Sequence, residues 1–271
     1  MPSAAASSPA LRRTERAPLN LSALAFRFAA PLTCAGLIVV WEAACRLLAI
    51  PVLLLPSPSA IAASFGGLSW QVWLGHVWAT FSVAFGGYLA AIAISVPLGA
   101  ALASSAVLSR ALYPILVVVQ STPVVAVAPI IVVLLGTNDL PRIVITFLIA
   151  FFPIVVSTVT GLSATPAELI DLSRSLRARG GRQMLHIRLP YALPYIFSAL
   201  RVSTTLAVIG AVVAEFVAAE RGLGYLIFFS TSYFKVPQAF AALAVLVTLS
   251  LVLFRAVSAI QQRLFPWSLR R

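Results

Sequence analysis

Apolar residues fall into six long segments, at about 28–50, 79–103, 111–135, 142–164, 191–217 and 238–261, divided by stretches carrying turn residues or charge. Each segment holds about 20 residues or more, enough for a helix to cross about 30 Å of hydrocarbon. The alternating ten-residue strands of an outer-membrane barrel do not fit this pattern. The prediction is an all-α integral membrane protein with six transmembrane helices. One interruption differs from the rest: residues 166–190, PAELIDLSRSLRARGGRQMLHIRLP, contain five arginines and no long apolar run. A central arginine costs roughly 2.5–3.5 kcal/mol in hydrocarbon even on the lenient insertion scale, so this segment belongs in water or against another protein.

Basic residues set the orientation. Arg12, Arg13, Arg16, Arg27, Arg110, Arg174, Arg177, Arg179, Arg182, Arg188, Arg255, Arg263, Arg270 and Arg271 fall on one side of the six-span arrangement. Only Arg142, Arg221 and Lys235 fall on the other. A fourteen-to-three excess of Lys and Arg marks the cytoplasmic side, so both termini and residues 165–190 are expected there, in a bacterial inner membrane. The opposite side receives the connection Pro51 to Trp78, a tight turn at 136–139, and residues 218–237. Trp70, Trp73 and Trp78 suit an interfacial anchor. The expected divisions are a basic cytoplasmic tail (1–27), a first span with its external connection (28–78), a five-helix core (79–262) and a basic C-terminal tail (263–271).

Composition agrees with membrane insertion: the 271 residues are 61% hydrophobic and only 10% charged, with a mean hydropathy of +1.03. A soluble domain carries about 25% charged residues. The net charge of +12 follows from cytoplasmic Lys/Arg excess rather than nucleic-acid binding. Residues 1–27 and the apolar run behind them have the outline of a signal peptide, but the run is too long for one and carries Glu42 and Arg46. These two are spaced i, i+4, so one helical face pairs them. Cys34 and Cys45 lie roughly 16 Å apart along such a helix, too far for a disulfide.

Thr165-Pro166-Ala167-Glu168 has the form of a helix start, with a hydroxyl N-cap, proline at the first position and glutamate closing a capping box. Leu169, Leu172, Ser173 and Leu176 then share one face, opposite Asp171, Arg174 and Arg177. Gly180-Gly181 is expected to end this helix through a left-handed turn. A second short helix from about Arg182 presents Met184, Leu185 and Ile187 and leads through Leu189-Pro190 into the next span. On physical grounds this element fits two uses: lying on anionic headgroups, or inserting its apolar face into a groove of a partner.

The segment resembles the cytoplasmic signature of ATP-binding-cassette importer permeases, E-A-A, three residues, G, nine residues, I-x-L-P. Aligning Ile187-Arg188-Leu189-Pro190 puts the signature's acidic residue at Asp171, its small residues at Leu172 and Ser173, and its glycine at Arg177. The likeness covers nearly all of 35–262: Leu54-Leu55-Pro56-Ser57-Pro58-Ser59-Ala60, Gln120-Ser121-Thr122-Pro123, Ala128-Pro129, Ala150-Phe151-Phe152-Pro153, Leu193-Pro194-Tyr195-Ile196 and Ala214-Glu215 with Gly222-Leu223-Gly224-Tyr225 resemble the nitrate/sulfonate/taurine branch.

The resemblance implies a permease subunit of type I importer architecture. It would pair with a second permease chain, as a homodimer, and with two ABC ATPase subunits docked on the cytoplasmic loop, residues 165–190. Its outer face would receive a periplasmic or lipid-anchored substrate-binding protein. The expected ATPase-coupling residues are Glu168, Leu169, Asp171, Leu172, Ser173, Leu176, Arg177, Gly180, Gly181, Ile187, Leu189 and Pro190. The expected translocation-pathway residues are Gln120, Ser121, Thr122 and Glu215. Pro123, Pro129, Pro153 and Pro194 are candidate kinks, and Arg201 a structural or gating contact near the inner leaflet. The expected cargo is a small organic anion such as an aliphatic sulfonate, taurine or nitrate, with a thiamine- or riboflavin-related heterocycle as the second choice.

The chain itself is not expected to be an enzyme or to bind a cofactor. A phosphate-binding P-loop requires Gly-Lys-Ser/Thr, and the single lysine is Lys235. ATP and Mg would serve the partner ATPase. His76 and His186 fall on opposite sides of the membrane, which leaves no two-histidine metal site within one chain. The rival from another class is an ion-gradient-driven secondary transporter, which calls for paired polar or acidic groups at mid-membrane and for internal repetition. Glu215 is one plausible intramembrane carboxylate away from Glu42, and no repeat is evident.

Overall fold

The computed structural model describes residues 21–269 and divides at Ile50/Pro51 into two units. The expected basic tail lies largely outside the described residues, as do Arg270 and Arg271. The first unit contains α1 (Leu21–Leu47), a 27-residue helix on which Arg46 Nε meets Glu42 Oε1 at 2.6 Å. The pairing read from i, i+4 spacing is therefore present. This helix begins seven residues before the expected start of the first span.

The second unit opens with α2 (Pro58–Ser64), whose N-cap Ser57 accepts a hydrogen bond from the Ala60 amide at 3.3 Å, with Pro58 in the first turn. The Leu54–Ala60 motif is thus a helix start, with a proline where an amide has no intrahelical partner. After a 3-10 turn at Phe65–Gly67, α3 runs from Trp70 to Ser104. The connection expected on the external side therefore ends nine residues early. Trp70 and Trp78 are exposed, as anchors would be. Trp73, by contrast, is buried and donates its indole N–H to the Phe65 carbonyl at 3.2 Å.

The expected third span, 111–135, is two helices. α4 (Ala106–Ser121) and α5 (Val124–Leu135) meet at 94° across Thr122-Pro123. Pro123 disfavours helical backbone at the preceding residue, and Thr122 is extended at ψ 124°. The hydroxyls of Ser121 and Thr122 turn back onto the carbonyls of Val117 and Val118 at 2.8 and 3.1 Å, satisfying acceptors exposed where α4 ends. The turn at 136–139 has Gly136 at φ 88° and Asn138 capping the Leu140 amide of α6 (Asp139–Ser163).

Beyond α6 come α7 (Ala167–Ser175), α8 (Gly180–Gln183), α9 (Leu189–Ala218), α10 (Leu223–Ser232) and α11 (Val236–Leu264). By length and composition, four stretches among the described residues can cross a membrane: α3, α6, the run from α8 through α9, and α11. A fifth is added if α4 and α5 count as one broken span. No strand occurs among the described residues.

Helices α3, α6 and α9 form the centre, around Ala91, Phe151, Ile154, Val155, Ile196 and Leu200. Small residues let their backbones approach: a β-carbon added at Gly210 would lie 2.8 Å from Thr146 Cα, and one at Gly99 2.7 Å from Thr158 Cβ. Hydroxyls join the helices where α6 approaches Pro153. Ser95 donates to the Phe151 carbonyl at 3.0 Å and Ser203 to that of Ala150 at 3.1 Å. The proline ring opens the hydrogen-bond ladder in the preceding turn, and neighbouring hydroxyls satisfy carbonyls there without water.

Candidate functional site

The loop between α6 and α9 starts without the expected capping box. Pro166 occupies the N-cap position with no side-chain cap, and the Thr165 hydroxyl donates backward to the Leu162 carbonyl at 3.2 Å. Glu168 remains in the first turn of α7, where a carboxylate favours the helix dipole. The apolar stripe is present and faces outward. Leu169, Leu172 and Leu176 are 42%, 57% and 74% exposed, whereas Ser173 is buried with its hydroxyl on the Ile170 carbonyl. Asp171 pairs with Arg174 at 3.2 Å on the polar side.

The turn ending α7 is not at Gly180-Gly181. Arg177 takes the left-handed conformation at φ 54°. Its amide donates to the Arg174 carbonyl, and that of Ala178 to the Ser173 carbonyl, both at 2.9 Å. This pair of bonds is a Schellman closure, whose left-handed position normally falls to glycine. Alignment to the permease signature places its glycine at the same position. Gly180 and Gly181 instead open α8, which passes through a π-turn at Met184–Arg188 into α9. Pro190, lacking an amide, accounts for the loosened turn before it. The second short helix therefore joins α9 with no break, and Leu189 packs against the central core. Between α7 and α8 lies a groove of about 320 Å³ lined by Leu169, Leu172, Leu176, Arg182, His186 and Ile187.

Gln120, Ser121 and Thr122 stand at the break between α4 and α5. Gln120 and Thr122 line a cavity of about 530 Å³, together with Pro123, Ile149, Pro153 and Leu206. Ser121 is not part of its lining. No ionisable side chain lines this cavity.

Glu215 lies elsewhere, near the far end of α9, 1% exposed. Its two oxygens have separate donors: Thr80 Oγ1 on Oε1 and the Gly224 amide on Oε2, each at 2.7 Å. Thr80 also accepts from the Leu223 amide at 2.7 Å, and His76 Nδ1 accepts from the Gly222 amide at 3.1 Å. Three consecutive amides at the start of α10 are thus held by side chains of α3 and α9. The sequence reading missed His76 and Thr80, although polar residues spaced i, i+4 on an apolar helix were a visible signal.

Two polar clefts flank this cluster. The larger, about 680 Å³, is lined by Arg142, Glu215, Arg221 and Tyr225 among others, and the smaller, about 460 Å³, by Gln71, His76, Arg221 and Tyr225. Arg142 pairs with Asp139. Glu215 and the Gln120–Thr122 segment line different cavities. Arg201 sits in the first half of α9, with Nε on the Phe197 carbonyl at 3.4 Å. Among the described residues, no three His, Cys, Asp or Glu side chains come together as a metal site would require.

Comparison with known proteins places these features in a family context. The family model for binding-protein-dependent transport system inner membrane components matches residues 91–267. The riboflavin transport system permease protein RibX of Chloroflexus aurantiacus is 37% identical over 88% of this chain and 89% of its own length. The formylaminopyrimidine transport permease protein ThiX of Halalkalibacterium halodurans is 33% identical over 85% and 92%. The taurine transport system permease protein TauC of Escherichia coli is 28% identical over 87% and 88%. An inward-facing structure of the MetNI methionine ABC transporter shares the fold, with a TM-score of 0.63 and 23% identity, covering 72% of this chain and 96% of that one.

Proposed function

Because the chain belongs to the binding-protein-dependent transport system inner membrane components, the permease subunits of ABC importers, we propose that it lines the passage of an ATP-driven importer and takes its power stroke through residues 165–190. The carrying observation is the outward-facing stripe of Leu169, Leu172 and Leu176 on α7. An exposed apolar stripe beside a groove is the form of a helix-in-groove partner surface. The run from α8 into α9 is continuous, so a push on the loop is delivered along α9 to the opposite end, about 1.5 Å per residue away. ATP and Mg are used by two partner ATPase subunits. A second copy of this chain completes the passage, and a substrate-binding protein seats on the end carrying α10. Both termini and residues 165–190 lie on the cytoplasmic side of a bacterial inner membrane.

For the cargo, the neutral heterocycle is favoured over the sulfonate to which the sequence leaned. The relatives named for riboflavin and formylaminopyrimidine are 37% and 33% identical, against 28% for the taurine permease. The cavity at the α4–α5 break points the same way, since an anion moved into a site without a charge partner loses hydration uncompensated. Gln120 and Thr122 supply amide and hydroxyl groups suited to the polar edge of a planar ring.

The experiment has two arms. Leu172→Asp and Leu176→Asp are expected to leave membrane insertion intact and abolish co-purification of the ATPase. Undiminished ATPase recovery rejects docking and restores the headgroup-bound alternative. In proteoliposomes with the binding protein and ATPase, riboflavin or formylaminopyrimidine uptake should require ATP and exceed taurine uptake. Taurine preference overturns the cargo assignment. Uptake driven by an ion gradient without ATP overturns the importer reading in favour of a secondary carrier.

A further inference from the structure

The cluster of His76, Thr80 and Glu215 does more than fill the end of α9, and we infer that it is a latch that makes α3, α9 and α10 move as one body in the transport cycle. This rests on the importer reading above. Within it, Glu215 is a positioning residue that acts through α10 rather than a group that touches cargo.

The case begins with the backbone. Gly222 has φ 134°, outside the range of other residues, and this lets the chain turn so that three successive amides leave the start of α10 toward its neighbours. Each meets an acceptor of a different kind: the His76 ring, the Thr80 hydroxyl and the Glu215 carboxylate. Two acceptors come from α3, one turn apart, and the third from α9. The α10 N-terminus is therefore tied to two different long helices, whereas an ordinary cap ties a helix only to its own preceding residue.

The fit around the carboxylate is tight on both sides. A β-carbon at Gly222 would collide with the Glu215 carboxylate, and one at Gly224 would lie 2.8 Å from Oε2. The two glycines of Gly222-Leu223-Gly224 thus form a cradle for the Glu215 head group.

The bonding also fixes what chemistry the position tolerates. Thr80 spends its lone pair on the Leu223 amide and its proton on Glu215 Oε1, while the Gly224 amide occupies Oε2. Both carboxylate oxygens must accept. Glutamine has the same shape but only one acceptor, so it sets an NH₂ against a donor. Threonine is required as a simultaneous donor and acceptor, which serine reproduces and valine does not.

The position of the latch gives it a role in coupling. It lies at the end of α9 opposite the 165–190 loop, between two polar clefts whose linings share Arg221 and Tyr225. If α9 transmits the ATPase stroke, the latch carries that displacement into α10 and the lips of both clefts. Loosening it disconnects this end from the stroke while leaving the helical core, and the loop 30 residues earlier, in place.

The test uses the complete complex of this chain with its ATPase and binding protein in lipid nanodiscs, with two measurements on each variant. Hydrogen exchange of the Gly222, Leu223 and Gly224 amides reads the latch itself. The ratio of binding-protein-stimulated to unstimulated ATP hydrolysis reads coupling and needs no assumption about cargo. In Thr80→Val and Glu215→Gln the three amides should exchange at least tenfold faster, and stimulation should fall at least fivefold. Thr80→Ser should restore both. Unchanged exchange in both variants overturns the latch. Fast exchange with full stimulation overturns its role in coupling and leaves it a purely structural cap. A variant that fails to assemble is replaced by His76→Ala, which removes one tie of three and should give intermediate values; wild-type values overturn the proposal. A wild-type chain that brings no ATPase refutes the importer reading instead, and the exchange measurement then still decides whether the latch exists.

Discussion

Replacing Arg177 by glycine isolates the strain in the coupling loop. Arg177 holds φ 54° at the Schellman turn that ends α7. A side chain with a β-carbon pays roughly 1–2 kcal/mol for that conformation. Glycine removes this cost but returns roughly 0.4–1 kcal/mol through the greater freedom of the opened chain. The remainder, about 1 kcal/mol, corresponds to about a fivefold shift in the opening equilibrium at 1.4 kcal/mol per factor of ten. The assay is hydrogen exchange at the Ala178 amide, bonded to the Ser173 carbonyl at 2.9 Å, corrected for intrinsic rates. Arg177→Gly should exchange about fivefold more slowly than wild type. Arg177→Asn should fall between, since asparagine tolerates this region, and Arg177→Val should exchange faster because a β-branched residue tolerates it least. Equal rates for the glycine and valine variants would refute the argument, because turn closure would then not depend on left-handed backbone at residue 177.

Two further substitutions probe other close contacts. Gly222→Ala adds a β-carbon where both φ 134° and the Glu215 carboxylate exclude it; the strain alone costs about 1–3 kcal/mol, so the detergent-solubilised chain should melt several degrees lower, and an unchanged melting temperature would contradict the packing described at α10. Gly210→Val pushes α9 off the α6 backbone, 2.8 Å from Thr146 Cα, at a cost of about 1–3 kcal/mol. Its melting temperature should fall, while Gly75→Ala, whose added β-carbon meets nothing within 4 Å, should melt no lower than wild type.

Helix positions were legible in part where apolar length governed them, as in α6 and α11. The Glu42–Arg46 pair was read from its spacing; the Ser57-Pro58 helix start and the Asn138 cap also depend on residues within a few positions of one another, but were read only as a family motif and a tight turn. Local signals misled where two were in competition. Gly180-Gly181 advertises a turn, yet the turn forms at Arg177, because the carbonyls left open at the end of α7 are met by the amides of Arg177 and Ala178. Thr165 carries the right side chain for a cap, but its hydroxyl found the Leu162 carbonyl instead. The proline at 123 was visible as a candidate kink, while the 94° turn it permits was not.

The sequence by itself determined that this chain is apolar enough to lie in a membrane, that a charged segment interrupts it at 166–190, and which family's motifs it bears, because hydrophobicity and short-range spacing are properties of the unfolded string. Only the tertiary structure shows what surrounds Glu215. Thr80 lies 135 residues before it, and the Gly224 amide reaches its other oxygen across a turn that requires φ 134° at Gly222. A carboxylate in a membrane helix can serve cargo, a proton or another helix, and sequence spacing does not distinguish these. Packing brings two donors within 2.7 Å of its oxygens, and a buried charge is stable only where its oxygens are met.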